Sequence, residues 1–208
     1  MPLTPYPEKK LLCQEDYLIF ENAMPEDELN ILEEYFNSTD PQAIRKDGID
    51  SSDGIKDSKI RSSNLSFYNY DDTNELSIAA FHSLYTLTES INDAYFGFNL
   101  TGFNFIQLTS YYKGQHYSLH CDKFSDLNTN LEMNSAMHRK LSFSLILSDP
   151  EEYKGGKFQI MDSGVLTTLE QKRNTLIAFP SWTLHRVGRV KTGLRKSIVW
   201  WVYGPKFV

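Results

Sequence analysis

From about residue 100 onward the chain is a succession of short β-branched and aromatic runs, each bounded by Gly, Pro, Asn or Asp. FNFIQLTSYY, KLSFSLILS, GKFQIM, NTLIAFP, HRVGRV and RKSIVWWVYG follow one another with little between them. Runs of this length and composition read as strands. Six or more of them leave few architectures open, because each sheet must bury a face and protect its edges. The expected fold is mainly β with flanking α-helices, built on a double-stranded β-helix, or jelly roll, core.

The helices come from the first half. PEDELNILEEYFN places Pro25 at a first helical position, acids in the first turn, and Leu29, Leu32 and Phe36 on one face. TNELSIAAFHSLYTLTESINDAYF repeats apolar residues at Leu76, Ala79, Ala80, Leu84, Leu87 and Ile91, the pattern of a long amphipathic helix. The stretch 39–65 between them is rich in Asp, Ser, Gly and Lys and reads as a solvated loop, with a lid over a site as the functional alternative.

With 208 residues, 40% of them apolar and 13% aromatic, the chain suits one globular domain rather than two. A formal charge of -6 argues against a general nucleic-acid binder. Cys13 and Cys121 are too few for a disulfide framework, which points to a reducing compartment. No apolar run approaches a membrane span and the start of the sequence lacks a signal pattern, so a cytoplasmic protein is expected, with neither membrane nor nucleic acid as partner.

The chemistry concentrates in YYKGQHYSLHCDKF, residues 111–124. On an extended strand His120 and Asp122 project to the same side, and so does His116. Two histidines and a carboxylate that leave coordination positions open suit a non-haem Fe(II) that must also bind O2 and substrate. The second histidine must come from another strand, and the available ones are His82, His116, His138 and His185. His185 is the best placed, because it follows the apolar run LIAFPSWTL and precedes Arg195 and Ser197. Those two share a face of the run RKSIVWW, and an arginine fork beside a hydroxyl is suited to gripping a carboxylate.

YYKGQHYSLHCD, RKLSFSLILSDPEEYKGGKFQI and LIAFPSWTLHRVGRVKTGLRKSIVWWVYGP, in this order, resemble the Fe(II)- and 2-oxoglutarate-dependent oxygenases, within them the prolyl 4-hydroxylase-like branch. The matching pieces fall within roughly residues 103–205, about half the chain. The resemblance implies one oxygenase domain over 1–208, with 1–100 as helical support and lid region and 101–205 as the jelly-roll catalytic core. It implies His120, Asp122 and His185 as iron ligands, and Arg195 with Ser197 as the clamp for the distal carboxylate of 2-oxoglutarate. Tyr111 would contact the cosubstrate, Ser142 would donate a further hydroxyl, and Tyr117 would line the pocket. The implied cofactors are Fe(II), 2-oxoglutarate and O2, with ascorbate keeping the iron reduced. Prolyl 4-hydroxylases usually carry lysine at the clamp; this chain has Arg195, a choice common in the wider superfamily.

The implied reaction is hydroxylation of a C–H bond with release of succinate and CO2, most naturally on a prolyl residue of a peptide or protein. A free amino acid or other small molecule is the alternative substrate, and a non-catalytic metal-binding jelly-roll module is the alternative of another class. An open groove between the 39–65 and 123–138 loops would favour a polypeptide. The nucleic-acid demethylase branch is disfavoured by the acidic charge and by the absence of an arginine-rich ending. Trp182, beside the expected entrance, is a candidate for substrate contact, while His116 reads as a bystander and Cys121 as a small core residue.

Overall fold

The computed structural model describes residues 16–46, 59–122 and 137–206. In chain order it contains β1 (Leu18–Phe20), α1 (Glu26–Ser38), β2 (Ala43–Lys46), β3 (Arg61–Ser62), β4 (Asn64–Asn69) and α2 (Glu75–Ile91). There follow β5 (Phe105–Tyr111), β6 (His116–His120), β7 (Met137–Ile146), β8 (Tyr153–Gly155), β9 (Phe158–Asp162) and β10 (Val165–Thr168). The chain closes with β11 (Leu176–Pro180), β12 (His185–Val187), β13 (Val190–Gly193) and β14 (Arg195–Pro205).

Seven strands form the larger sheet in the order β1-β11-β7-β14-β5-β4-β2, and five form the smaller in the order β10-β9-β12-β6-β3. β13 and β8 make a separate two-stranded ribbon. This is the expected jelly roll, two antiparallel sheets face to face with helices on the outer side of the larger one.

The central strand β14 shows how the layers are divided. Its even residues Ile198, Trp200 and Val202 join the core under the helices, with Leu29, Leu32, Tyr35 and Leu84. Trp200 stacks on Phe143 with centroids 4.8 Å apart, and its indole N–H donates to Thr88 Oγ1 at 2.9 Å, which ties α2 to the sheet. The odd residues of β14 turn the other way, toward the second sheet. There Tyr111, Ile177 and Phe179 of the larger sheet meet Phe158, Ile160 and Val187 of the smaller one.

α1 begins one residue later than Pro25, which serves as its N-cap. Arg173 anchors this helix to the sheet through ion pairs to Glu26 and Glu33. α2 is capped by Asn74, whose side chain accepts from the N–H groups of Leu76 and Ser77. It stops at Ile91, the last residue of its apolar pattern, and continues as a π-helical turn over Asn92–Phe96.

The expectation of a solvated loop over 39–65 is corrected. Its described parts contribute β2, β3 and the start of β4, and so extend both sheets. Their polar composition hid them, since an edge strand needs only backbone pairing and half a buried face. Residues 47–58, the centre of the expected lid, and 123–136 of the second loop lie outside the described residues. The run HRVGRV is divided into β12 and β13, which pair in different sheets.

At the turn from β13 to β14, Gly193 has φ +78°, and a Cβ there would collide with the backbone oxygen of Glu152. Gly164, with φ +84°, has open space around its missing Cβ. Gly164→Ala should therefore cost about 1 kcal/mol of stability, and Gly193→Ala at least about 2 kcal/mol more. Urea unfolding of both variants reads the difference; equal losses would contradict the close approach at Gly193.

Candidate active site

β6 and β12 lie side by side, with His185 opposite His120. The pairing slips between the two ends: Val187 faces Tyr117, so β6 holds one residue more than its partner over this span. That bulge breaks the two-residue period. It places Tyr117 against His120, their rings stacked with centroids 3.4 Å apart. His116, expected on the side of His120, instead meets the Lys59 carbonyl through Nε2 at 3.1 Å. Asp122 follows the end of β6. Its two carboxylate oxygens lie 3.5 Å from His120 Nε2 and 3.6 Å from His185 Nε2.

One donor atom from each of His120, Asp122 and His185 falls within 4.8 Å of the others. Both rings are oriented the same way. His120 Nδ1 lies 2.8 Å from the Ser118 carbonyl and His185 Nδ1 lies 3.0 Å from the Thr183 carbonyl. A carbonyl can only accept, so Nδ1 carries the proton and Nε2 turns a lone pair toward the shared point. Burial pushes the His185 imidazole down to about 4, against the opposing pull of Asp122, so it is neutral at pH 7 and ready to ligate. Burial alone would raise the Asp122 carboxyl, but His185 and His120 beside it, with the Trp201 indole, hold it well below the usual carboxylate range. Two imidazoles and an ionised carboxylate from neighbouring strands fit a divalent first-row metal and leave its other face open.

A second group of sequence candidates sits on the inner face of the larger sheet. The register puts Arg195 opposite Tyr111, Ser197 opposite Thr109 and Val199 opposite Gln107. On the other flank of β14, Val199 faces Ser144 and Trp201 faces Ser142. This inner face is unusually polar for the inside of a sandwich, where apolar side chains are the rule. Gln107, Thr109, Ser142, Ser144, Arg195 and Ser197 are all buried on it.

The Arg195 guanidinium is 1% exposed and has no carboxylate partner among the described residues. It donates to Ser197 Oγ at 3.2 Å and to Gln171 Oε1 at 3.0 and 2.8 Å, and lies 5.6 Å from the Tyr111 ring centroid. Burial lowers its pKa, yet a guanidinium stays charged. An uncompensated buried cation costs several kcal/mol. Such a residue marks a place for an anion.

The structure thus brings together His120, Asp122, His185 and Tyr117 as one group, and Arg195, Ser197 and Tyr111 as another. Phe158 and Phe179 join them, both in the inter-sheet core with Tyr111 and both against the His185 ring. Ser142 shares a 3.0 Å hydrogen bond with Ser181, between its inner-face neighbours Phe179 and Trp201. Trp182 is 45% exposed, with its ring edge-on to Phe98, which leans on the helical core. Cys121, expected in the core, is exposed, because the strand has already ended.

Three residues that the sequence reading passed over also belong here. Gln171 holds Arg195 as described. Arg61 of β3 lies with its guanidinium 4.4 Å from the Tyr117 ring centroid, on the far end of the Tyr117–His120 stack. Arg139 of β7 covers the Trp201 ring at 4.2 Å and donates to the Asp122 carbonyl at 3.3 Å. Burial, partly offset by Arg61, pushes the Tyr117 phenol up to about 12, so it remains a neutral donor. No local pattern announces these residues, since each acts across strands.

The family model of the 2OG-Fe(II) oxygenase superfamily matches residues 106–203. A PKHD-type hydroxylase of Parvibaculum lavamentivorans is 35% identical over 104 residues, which cover 48% of this chain and 42% of that protein. Another from Psychrobacter sp. is 33% identical over 94 residues, 45% of this chain and 36% of that protein. The match thus spans roughly two fifths of these curated relatives. Among solved structures, a Pseudomonas putida prolyl-4-hydroxylase superposes with a TM-score of 0.66 at 18% identity, covering 94% of this chain and 96% of that one. A prolyl hydroxylase of Trichoplax adhaerens, in complex with a hypoxia inducible factor oxygen degradation domain peptide, gives 0.65 at 15% identity, covering 91% of this chain and 84% of that one. At these identities the structures establish the shared fold.

If the three convergent donors form a metal site, His185→Ala and Asp122→Ala should each lose stoichiometric Mn(II) binding, with affinity down by about 100-fold or more. His116→Ala should bind as the parent does. Calorimetric titration of the three variants checks this; equal losses in all three would place the metal elsewhere.

Proposed function

We propose that this chain, whose residues 106–203 match the family model of the 2OG-Fe(II) oxygenase superfamily, is an Fe(II)- and 2-oxoglutarate-dependent dioxygenase that hydroxylates a C–H bond. The observation that carries the reading is the pairing of a convergent His–Asp–His donor set with a buried guanidinium that has no carboxylate partner among the described residues, inside the same double sheet. When bound, Fe(II) with 2-oxoglutarate and O2 supplies the oxidation, in which the cosubstrate is decarboxylated to succinate and CO2 and a hydroxyl is delivered to the substrate.

The residues of the chain supply holding, orientation and exclusion of water. His120 Nε2, His185 Nε2 and the Asp122 carboxylate would hold the metal, and the Ser118 and Thr183 carbonyls keep both imidazoles in the ligating tautomer. Arg195 and Ser197 would bind the distal carboxylate of 2-oxoglutarate by charge-assisted hydrogen bonds. Tyr111, opposite Arg195, would flank the same ligand, and Ser142 would offer a hydroxyl on the adjoining strand. Phe158 and Phe179, against His185, keep that side of the site dry.

For the substrate we infer a prolyl residue in a peptide or protein. The support is similarity to prolyl hydroxylase structures, one of which holds a peptide. Tyr117, with its protonated phenol beside His120, and the exposed Trp182 are the candidates for substrate contact. Arg61 and Arg139 add two guanidinium groups around Tyr117 and Asp122, suited to carbonyl oxygens of a polypeptide.

The test is succinate formation from 2-oxoglutarate by the Fe(II)-loaded chain, with and without proline-containing peptides. Turnover should be stimulated by peptide, and Arg195→Ala should raise the KM for 2-oxoglutarate by about 100-fold. Stimulation by free amino acids alone would move the substrate to a small molecule. Tight metal binding without turnover under any condition would leave a binding module.

A further inference from the structure

The way Arg195 is held has a chemical consequence of its own. A planar guanidinium offers two bidentate forks, one along the Nε–Nη2 edge and one at the Nη1–Nη2 end. The single amide oxygen of Gln171 accepts from both Nε, at 3.0 Å, and Nη2, at 2.8 Å, and so occupies the first fork. The second is turned to the Ser197 hydroxyl, with Nη1 donating at 3.2 Å. Gly156 makes room for the stem: a Cβ there would stand 3.0 Å from Arg195 Cδ and 3.0 Å from Val190 Cγ2.

Gln171 itself is half-buried in the connection from β10 to β11, beside the buried Leu169, whose N–H donates to the Phe158 carbonyl at 3.0 Å. The position receives two guanidinium N–H groups, the geometry that a carboxylate would also satisfy. A glutamate here would close a buried ion pair and cancel the charge before any ligand arrived. The adjoining acid, Glu170, is exposed.

We propose that Gln171 is a positioning residue that sets cosubstrate selectivity: its amide oxygen fixes which fork of Arg195 faces the ligand, and its neutrality reserves the positive charge for a distal carboxylate. The inference rests on the 2-oxoglutarate reading above. It makes the chain selective for 2-oxo diacids over 2-oxo monoacids through a residue that need not touch the ligand.

The experiment uses the full chain loaded with Mn(II), which is redox-silent, and calorimetric titration with two ligands. One is 2-oxoglutarate; the other is 2-oxobutanoate, which keeps the oxo-acid end and lacks the distal carboxylate. Gln171→Glu should weaken 2-oxoglutarate by about 30-fold, leave 2-oxobutanoate unchanged, and leave the melting temperature of the ligand-free chain equal or higher. Gln171→Ala keeps the charge but frees the fork, so its loss should be smaller, about 5-fold. Parent-like 2-oxoglutarate affinity in Gln171→Glu overturns the inference. Equal loss of both ligands with a lower melting temperature also overturns it, because that is the signature of a structural defect. A parent chain that binds neither ligand would instead remove the cosubstrate reading, and the inference with it.

Discussion

The polar inner face of the larger sheet, with Arg195 and Ser197 on it, hangs on the hydrogen-bonded position of β14 between β5 and β7. A strand has two faces, and in β14 they do opposite jobs. Ile198, Trp200 and Val202 bind the helices to the sheet, while Arg195, Ser197 and Trp201 point into the double sheet. A slip of one residue would exchange the two sets and bury the charge in the helical core. The strength of that core, built on Trp200, Phe143 and the leucines of α1 and α2, is therefore what keeps the guanidinium where it is.

The two halves of the site solve opposite electrostatic problems. At the His–Asp–His end, burial keeps His185 neutral and the Asp122 carboxyl lies well below the usual carboxylate range, so neither needs a proton removed to ligate. At the other end, burial of Arg195 is met by a neutral amide and a hydroxyl, which accept from part of its N–H groups and leave its charge. A 2-oxo acid with a second carboxylate matches both ends at once.

Much of the site was legible in the residues. The spacing of His120 and Asp122, and of Arg195 and Ser197, is a strand's own period, and His185 was singled out by its apolar approach and by the Arg195 that follows. The bulge in β6 was not, because the period-2 argument assumes an unbroken strand; it moves His116 off the side of His120 and brings Tyr117 onto it. β2 and β3 lie in a stretch of polar composition, where short strands pair through their backbones and leave little apolar signature, while β4 buries only Leu65 and Tyr68, too short a signal to stand out. Gln171 reaches Arg195 across 24 residues of chain, and a glutamine in a connecting loop carries no signal by itself.

The sequence by itself determined the elements and the chemistry available: alternation in the strands, amphipathicity in the helices, and a His, an Asp and an Arg set at strand spacing. Only the tertiary structure decided which side chains would share a space. Strand pairing brings His185 to His120, Tyr111 to Arg195 and Arg61 to Tyr117 through backbone hydrogen bonds that are blind to side-chain identity. Burial then sets the charges that such neighbours carry, because desolvation depends on what surrounds a group and not on its place in the chain.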